Sequence, residues 1–320
     1  MFGEIVMGVS IGEVIKYCRS EMGLTQKELA TDQISVRYIG KIEKGTANIT
    51  IELLSYISKR LGTNLFIMYG KMNKYESVET YSICQRISVA IGRHAIDEIR
   101  SFAEKYKNDE RFKNGTEKKV LKYAEAIVLS AEKNYKAAIS AAEEAVCKFD
   151  GGEHGILIEK EDISSVECAL ILSHAVNLCR IDDAEKGTAE LNKLYKIAKE
   201  KVDSGLAEIE GDIDFYLDIT CSCLYNLYIF SEESVLEEIE KLLETRRRRG
   251  SLHMVCELLL CKSALLMNSG NSEEARTTYS TAKYIGFFFY SEEYFEKKAD
   301  SILNIKSDKK RFDIGKRTTG

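Results

Sequence analysis

The chain has 320 residues, 44% of them hydrophobic and 30% charged, with a formal net charge of −5 and neither proline nor tryptophan. That length is large for one compact domain and suggests two. No run of about 18 apolar residues offers a membrane span, the four histidines (His94, His154, His174, His253) are scattered, and no nucleophile elbow, phosphate-binding loop, zinc-protease or dinucleotide fingerprint is present, so an enzyme or a cofactor protein is not expected.

Residues 1 to 9, MFGEIVMGV, are apolar but short, lack a basic start and carry Glu4, which makes a poor export signal. A cytoplasmic location is expected, and the nine cysteines fit a reducing compartment. Cys221 with Cys223 and Cys256 with Cys261 lack zinc spacing, so they read as small core fillers.

The first helix is expected over Gly12 to Glu21, with Ile11, Val14, Ile15 and Cys18 on one face and Met22-Gly23 closing it. Thr25 and Glu28 form a capping box, which starts a helix at Gln26 in TQKELA with Leu29 and Ala30 facing inward. TDQIS is polar and turn-like. Ser35 then caps VRYIGKIEK, and Gly45 ends it at a C-terminal glycine position. Ile39 and Ile42 are three apart and point to the core, which leaves Arg37 and Lys41 together on the opposite face. The pattern is that of a helix-turn-helix, whose second helix enters the major groove, where an arginine can bond guanine bidentately. The plainer reading is two solvated charges on an ordinary bundle helix. TANIT is a loop, Thr50 caps a fourth helix with Leu53, Leu54, Ile57 and Leu61 in the core, and NLFIMYGKMNK leads out.

Charge follows the same division. Residues 1 to 74 carry ten Lys plus Arg against seven Asp plus Glu, a net of +3, and the remainder carries −8. This suits a DNA-binding head on an acidic body.

Beyond about Tyr75 the chain reads as helix pairs, with second helices near Arg93, Asn134, Asp182, Ser231 and Asn271. The spacing is that of helical solenoid repeats. NYKAAISAAEEAV and NSEEARTTYSTAKYIGFF resemble the second helix of a tetratricopeptide repeat, with Ala138, Ala142, Ala145, Ala275 and Ala282 at close-packing positions. GDIDFYLDITCSCLYNLYIF and HMVCELLLCKSALLMNSG are apolar nearly all round and should be central first helices. Arg246 to Arg249 reads as a solvated basic helix end favoured by the dipole, with a second phosphate contact as the alternative.

The head resembles the phage-repressor-like helix-turn-helix family at Gln26, Glu28, Leu29, Ala30, Ile39, Ile42, Glu43 and Gly45. Arg19 and Glu43 look like that family's structural ion pair. QIS and the shortened turn are closer to the Rgg and PrgX branch. With the repeat-like body, the whole is similar to the RRNPP peptide-pheromone receptors. The expected fold is all-α: residues 1–70 a helix-turn-helix domain, 71–306 a tetratricopeptide-like superhelix for peptide binding and dimerisation, and 307–320 a polar tail that is either an unstructured end or a gate over the groove.

The resemblance implies a homodimeric regulator that binds a double-stranded operator and a short imported signal peptide. It carries a DNA interface onto Gln26, Ser35, Arg37, Tyr38, Lys41, Lys44, Thr46 and Asn48, the last three at the phosphate backbone. It implies peptide capture by side-chain amides, for which Asn177, Asn226 and Asn268 are candidates with Arg180, Tyr225 and Tyr228 beside them. The bland reading is that these are satisfied core or helix-end residues. The alternatives are a body that only dimerises or docks a protein, and, more remotely, a phage-type repressor or an antitoxin.

Overall fold

Short polar side chains one residue ahead of each helix decide where the head's helices begin. In the computed structural model, which describes residues 8–146, 163–181, 183–205, 212–231 and 234–303, Ser10 caps α1 (Ile11–Glu21) and pairs with Glu13 in a capping box. Thr25 and Glu28 do the same for α2 (Gln26–Leu29). Ser35, Thr50 and Asn64 cap α3 (Val36–Glu43), α4 (Ile51–Arg60) and α5 (Leu65–Met72). Each cap gives an orphan N–H its acceptor, worth about 1 kcal/mol. α2 is shorter than TQKELA because Ala30 already has extended backbone, and a bridge between Thr31 and Ile34 turns the chain toward α3.

Five helix pairs follow among the described residues. They are α6 (Val78–Gly92) with α7 (Ile96–Tyr106) and α8 (Gly115–Ala131) with α9 (Tyr135–Val146); α10 (Ser165–Arg180) with α11 (Ala184–Asp203) and α12 (Ile213–Phe230) with α13 (Leu236–Arg249); and α14 (Val255–Asn268) with α15 (Ser272–Phe289). A last helix, α16, runs over 292–303. All five expected second helices are present, although α13 starts at Leu236 because Ser231 is extended. Apart from the single bridge, no β-pairing occurs among the described residues. None of the described helices is long and apolar enough to cross a membrane. The tail at 307–320, Cys147 and His154 lie outside the described residues.

The chain divides into two compact units, Met1–Val146 and Cys147–Gly320. The junction expected at residue 70 lies within α5 and inside the first unit. The head's core takes in Met72 and Tyr81, and Tyr81 meets Tyr17 and Tyr75 edge-on at 6.0 and 5.2 Å. Glu117, buried at the start of α8, accepts from the Glu76 N–H at 2.7 Å and the Thr80 hydroxyl at 2.8 Å. A buried carboxylate needs such donors, and these tie the first helix pairs to the lead-out.

In the second unit α10, α11 and α12 share one apolar core. The small alanines anticipated at close-packing positions, Ala138, Ala142, Ala145, Ala275 and Ala282, are all buried. Gly187 has the same role on α11: a Cβ there would lie 2.4 Å from Cys179 Sγ and 2.6 Å from the Ala175 carbonyl oxygen. Gly187→Ala is expected to push α11 off α10 and destabilise this unit by about 1–3 kcal/mol in a denaturation experiment. A melting curve like that of the parent would contradict this. The eight described cysteines are buried and form no disulfide with one another, and burial pushes the Cys84, Cys168 and Cys256 thiols up to about 12. These are core fillers and poor nucleophiles.

The run Arg246–Arg249 is not uniformly solvated. Arg247 and Arg248 share Glu244 at the surface, whereas Arg246 is 1% exposed. Its guanidinium reaches back to Asp218 on α12 and donates to Ser251 Oγ at 2.9 Å, while its Nε meets no partner among the described residues. Asp218 also takes His253 Nδ1 at 2.8 Å. Burial would raise the Asp218 carboxyl, but the hydrogen bonds from His253 and Arg246 hold it below its ordinary value. The bond to Asp218 raises His253 in turn. Because Asp218 favours protonated His253, the stabilisation is fully present below the unfolded value of about 6.5 and fades as pH rises through the higher folded one. The second unit should therefore melt slightly lower above neutral pH, and His253→Ala should flatten that dependence. The histidine side chain is 66% exposed, so the effect is small.

A candidate nucleic-acid interface

The sequence places a rigid α3 before it places any ligand. Arg19 Nε and Nη2 donate to the two carboxylate oxygens of Glu43 at 2.6 and 3.0 Å. Arg19 Nη1 donates to the Leu24 carbonyl at 2.6 Å, and Gln26 Nε2 donates to Glu43 Oε2 at 2.8 Å. One carboxylate thus gathers α1, α2 and α3. Beneath it Ile39 and Ile42 are each 1% exposed. Gly12 lets α1 approach α3 closely, since a Cβ there would lie 2.1 Å from the Ile42 carbonyl oxygen.

With one face of α3 so occupied, the other is left to solvent. Ser35, Arg37, Tyr38 and Lys41 are exposed, and the side chains of Arg37 and Lys41 make no hydrogen bond or ion pair with any described residue. Tyr38 donates its hydroxyl to the Asn48 carbonyl at 2.9 Å, pinning the loop after α3. Gly45 takes the left-handed backbone that ends the helix (φ +68°). Thr46 donates through both its N–H and its hydroxyl to the Lys41 carbonyl, at 2.9 and 3.1 Å. Lys44, Thr46 and Asn48 then lie exposed on that loop. The arrangement joins a basic helix face to a polar loop. Gln26 differs from its neighbours in this set, since its amide serves the Glu43 cluster.

The peptide candidates all fall in the second unit, near the ends of its first helices. Asn177 is 1% exposed and donates to the Ser173 carbonyl of its own helix at 2.7 Å. Asn226 is half-buried and donates likewise to Ser222 at 2.8 Å. Asn268 and Arg180 are exposed. Tyr228 is fully buried and donates to the Ile302 carbonyl of α16 at 2.9 Å, which ties that helix down and leaves the ring no surface for a ligand. Tyr225 is the better placed ring. Burial pushes its hydroxyl up to about 12, and its charged or polar neighbours include Glu257, Tyr294 and Arg180.

Glu257 and Tyr294 escaped the sequence reading. Glu257 is buried and accepts from Tyr290 Oη at 2.7 Å and Lys298 Nζ at 2.5 Å. A lone acid in the apolar stretch VCELLLCKSALL was the available signal. Tyr294 carried none.

Residues 15–67 match the helix-turn-helix family model HTH_3. The head is a helix-turn-helix domain. Comparison with curated proteins gave no match. Among solved structures, the helix-turn-helix chain is similar to Bacillus thuringiensis PlcR, determined in complex with the peptide PapR7 and DNA, at 17% identity and TM-score 0.64, over 92% of this chain and 99% of that one. It is similar to a putative transcriptional regulator from Listeria monocytogenes at 16% identity and TM-score 0.54, over 94% and 98%. It is also similar to the Streptococcus dysgalactiae SHP pheromone receptor Rgg2, at 13% identity and TM-score 0.50, over 92% and 98%. At such identities the likeness is one of fold. It extends through head and body together, and it bears out the all-α architecture and the resemblance read from the sequence.

Proposed function

We propose that the chain is a cytoplasmic, homodimeric, DNA-binding transcription regulator whose helical body binds a short imported signal peptide. The observation that carries the DNA part is the exposed, unpaired Arg37 and Lys41 on a helix locked from behind by Arg19, Glu43 and Gln26. Charges left without partners on a rigid helix suit phosphate and base edges, and the loop with Lys44, Thr46 and Asn48 supplies the positioning contacts. The peptide part is supported by the fold shared with PlcR, which was solved with both peptide and DNA, and by the grouping of Arg180, Glu257 and Tyr294 about Tyr225.

The peptide part has a direct test. A short open reading frame near the gene, with a basic start and an apolar segment, supplies a C-terminal octapeptide to titrate by calorimetry. Tight binding by the parent and loss of it in the triple variant Asn177→Ala, Asn226→Ala, Asn268→Ala is the expected result. Parent-like affinity in that variant would remove the asparagines from the site.

A second reading, a body that only dimerises or docks a protein, is favoured by one feature. The C-terminal part of α15 exposes Tyr284 (80%), Phe288 (87%) and Phe289 (54%), an apolar patch of the kind that marks interaction surfaces. Absence of peptide binding in a folded, operator-competent protein would favour it.

A further inference from the structure

A half-open cavity of about 350 Å³ lies between α7 and α8 in the first unit, a size typical of small-molecule sites. It is independent of the DNA and peptide readings. Its floor is Ala103, Phe112, Leu121, Val128 and Leu129. The walls are one face of each helix. Arg100, Ala103 and Glu104 on α7 and Lys107 at its C-cap lie three and four residues apart, and Lys118, Leu121, Lys122 and Glu125 repeat that spacing on α8.

The two helices are antiparallel, because Arg100 near the start of α7 pairs with Glu132 just past the end of α8. Lys107, Lys113 and Lys118 therefore gather at the opposite end of the groove. Lys113 is paired with Glu110, and Lys122 with Glu125 and Glu144. The side-chain ammonium groups of Lys107 and Lys118 make no hydrogen bond or ion pair with any described residue. The groove thus has an apolar length and two uncompensated cations at one end, although the body as a whole is acidic.

We propose that this groove binds a small amphipathic monocarboxylate, its carboxylate held between Lys107 and Lys118 and its apolar chain laid along Leu121, Val128 and Leu129. The floor offers no polar group to direct hydrogen bonds, so a long apolar body with a single anionic head fits it better than a polyol, a sugar or a polyanion. Charge complementarity fixes the orientation, and apolar burial supplies the remaining affinity.

Decanoate and the uncharged decanol, titrated into the full chain by calorimetry, test the assignment. Decanoate is expected to bind at least about tenfold more tightly than decanol. Lys107→Glu with Lys118→Glu should remove that preference while decanol binding and helical content stay as in the parent. The pair Lys107→Gln with Lys118→Gln, which introduces no repulsion, should lower decanoate affinity to that of decanol. No decanoate binding, equal affinity for the two probes, or a decanoate preference that survives both double variants would overturn the proposal. So would loss of DNA affinity in the variants with decanoate binding retained, which would make these lysines phosphate contacts.

Discussion

Arg37→Ala is expected to lose sequence-specific DNA binding by about 1–3 kcal/mol per half-site, roughly 5- to 150-fold in affinity, with the fold unchanged. The fold should hold because the Arg37 side chain is exposed and bonded to no described residue. Specificity should relax at one base pair while binding to unrelated DNA persists through the lysines. Lys44→Ala, on the loop, should instead weaken all sequences alike and reduce the salt slope by about 1. Electrophoretic shifts with cognate and scrambled duplexes at two salt concentrations separate the two behaviours. Parent-like affinity and specificity in Arg37→Ala would take that residue out of the groove.

Glu43→Ala is expected to be the most damaging single change in the head. The Glu43 side chain is 3% exposed and that of Arg19 is 12% exposed, and truncating the acid strands both the Arg19 fork and the Gln26 amide. Breaking a buried pair from one side costs about 3–5 kcal/mol, because the partner's charge is left desolvated. An isolated small head has little more stability than that. Arg19→Lys should also be costly, since an ammonium cannot span both Glu43 oxygens and the Leu24 carbonyl together. Chemical denaturation followed by hydrogen exchange should show the head opening first while the second unit keeps its protection. A loss below about 1 kcal/mol would show that the ion pair is not what binds α1, α2 and α3 together.

Much of this was legible because local chemistry agreed with tertiary need. Thr25 with Glu28, Ser35 and Thr50 cap where their side chains imply, and Ile39 and Ile42 are buried as their spacing requires. The Arg19–Glu43 pair, 24 residues apart, was visible only through resemblance, since no periodicity joins two positions across a turn. Arg246 shows the limit. Four consecutive arginines read as one solvated end, yet the first is pulled inward by Asp218, 28 residues earlier. Asn177, Asn226 and Asn268 sit near the ends of successive first helices as inferred, but spacing along a helix does not say which amide turns to its own backbone. Asn177 and Asn226 do so. Glu257 and Tyr294 come within electrostatic reach of Tyr225 only through the packing of helices distant in sequence.

In the proposed function α3 reads DNA as part of a two-fold dimer. Selection of bound sequences from a random duplex pool by the parent protein tests it most directly. The expected result is an enriched inverted repeat, its half-sites about one helical turn or a multiple apart, that Arg37→Ala fails to enrich. A pool that stays random, or an enriched site without two-fold symmetry, would contradict it.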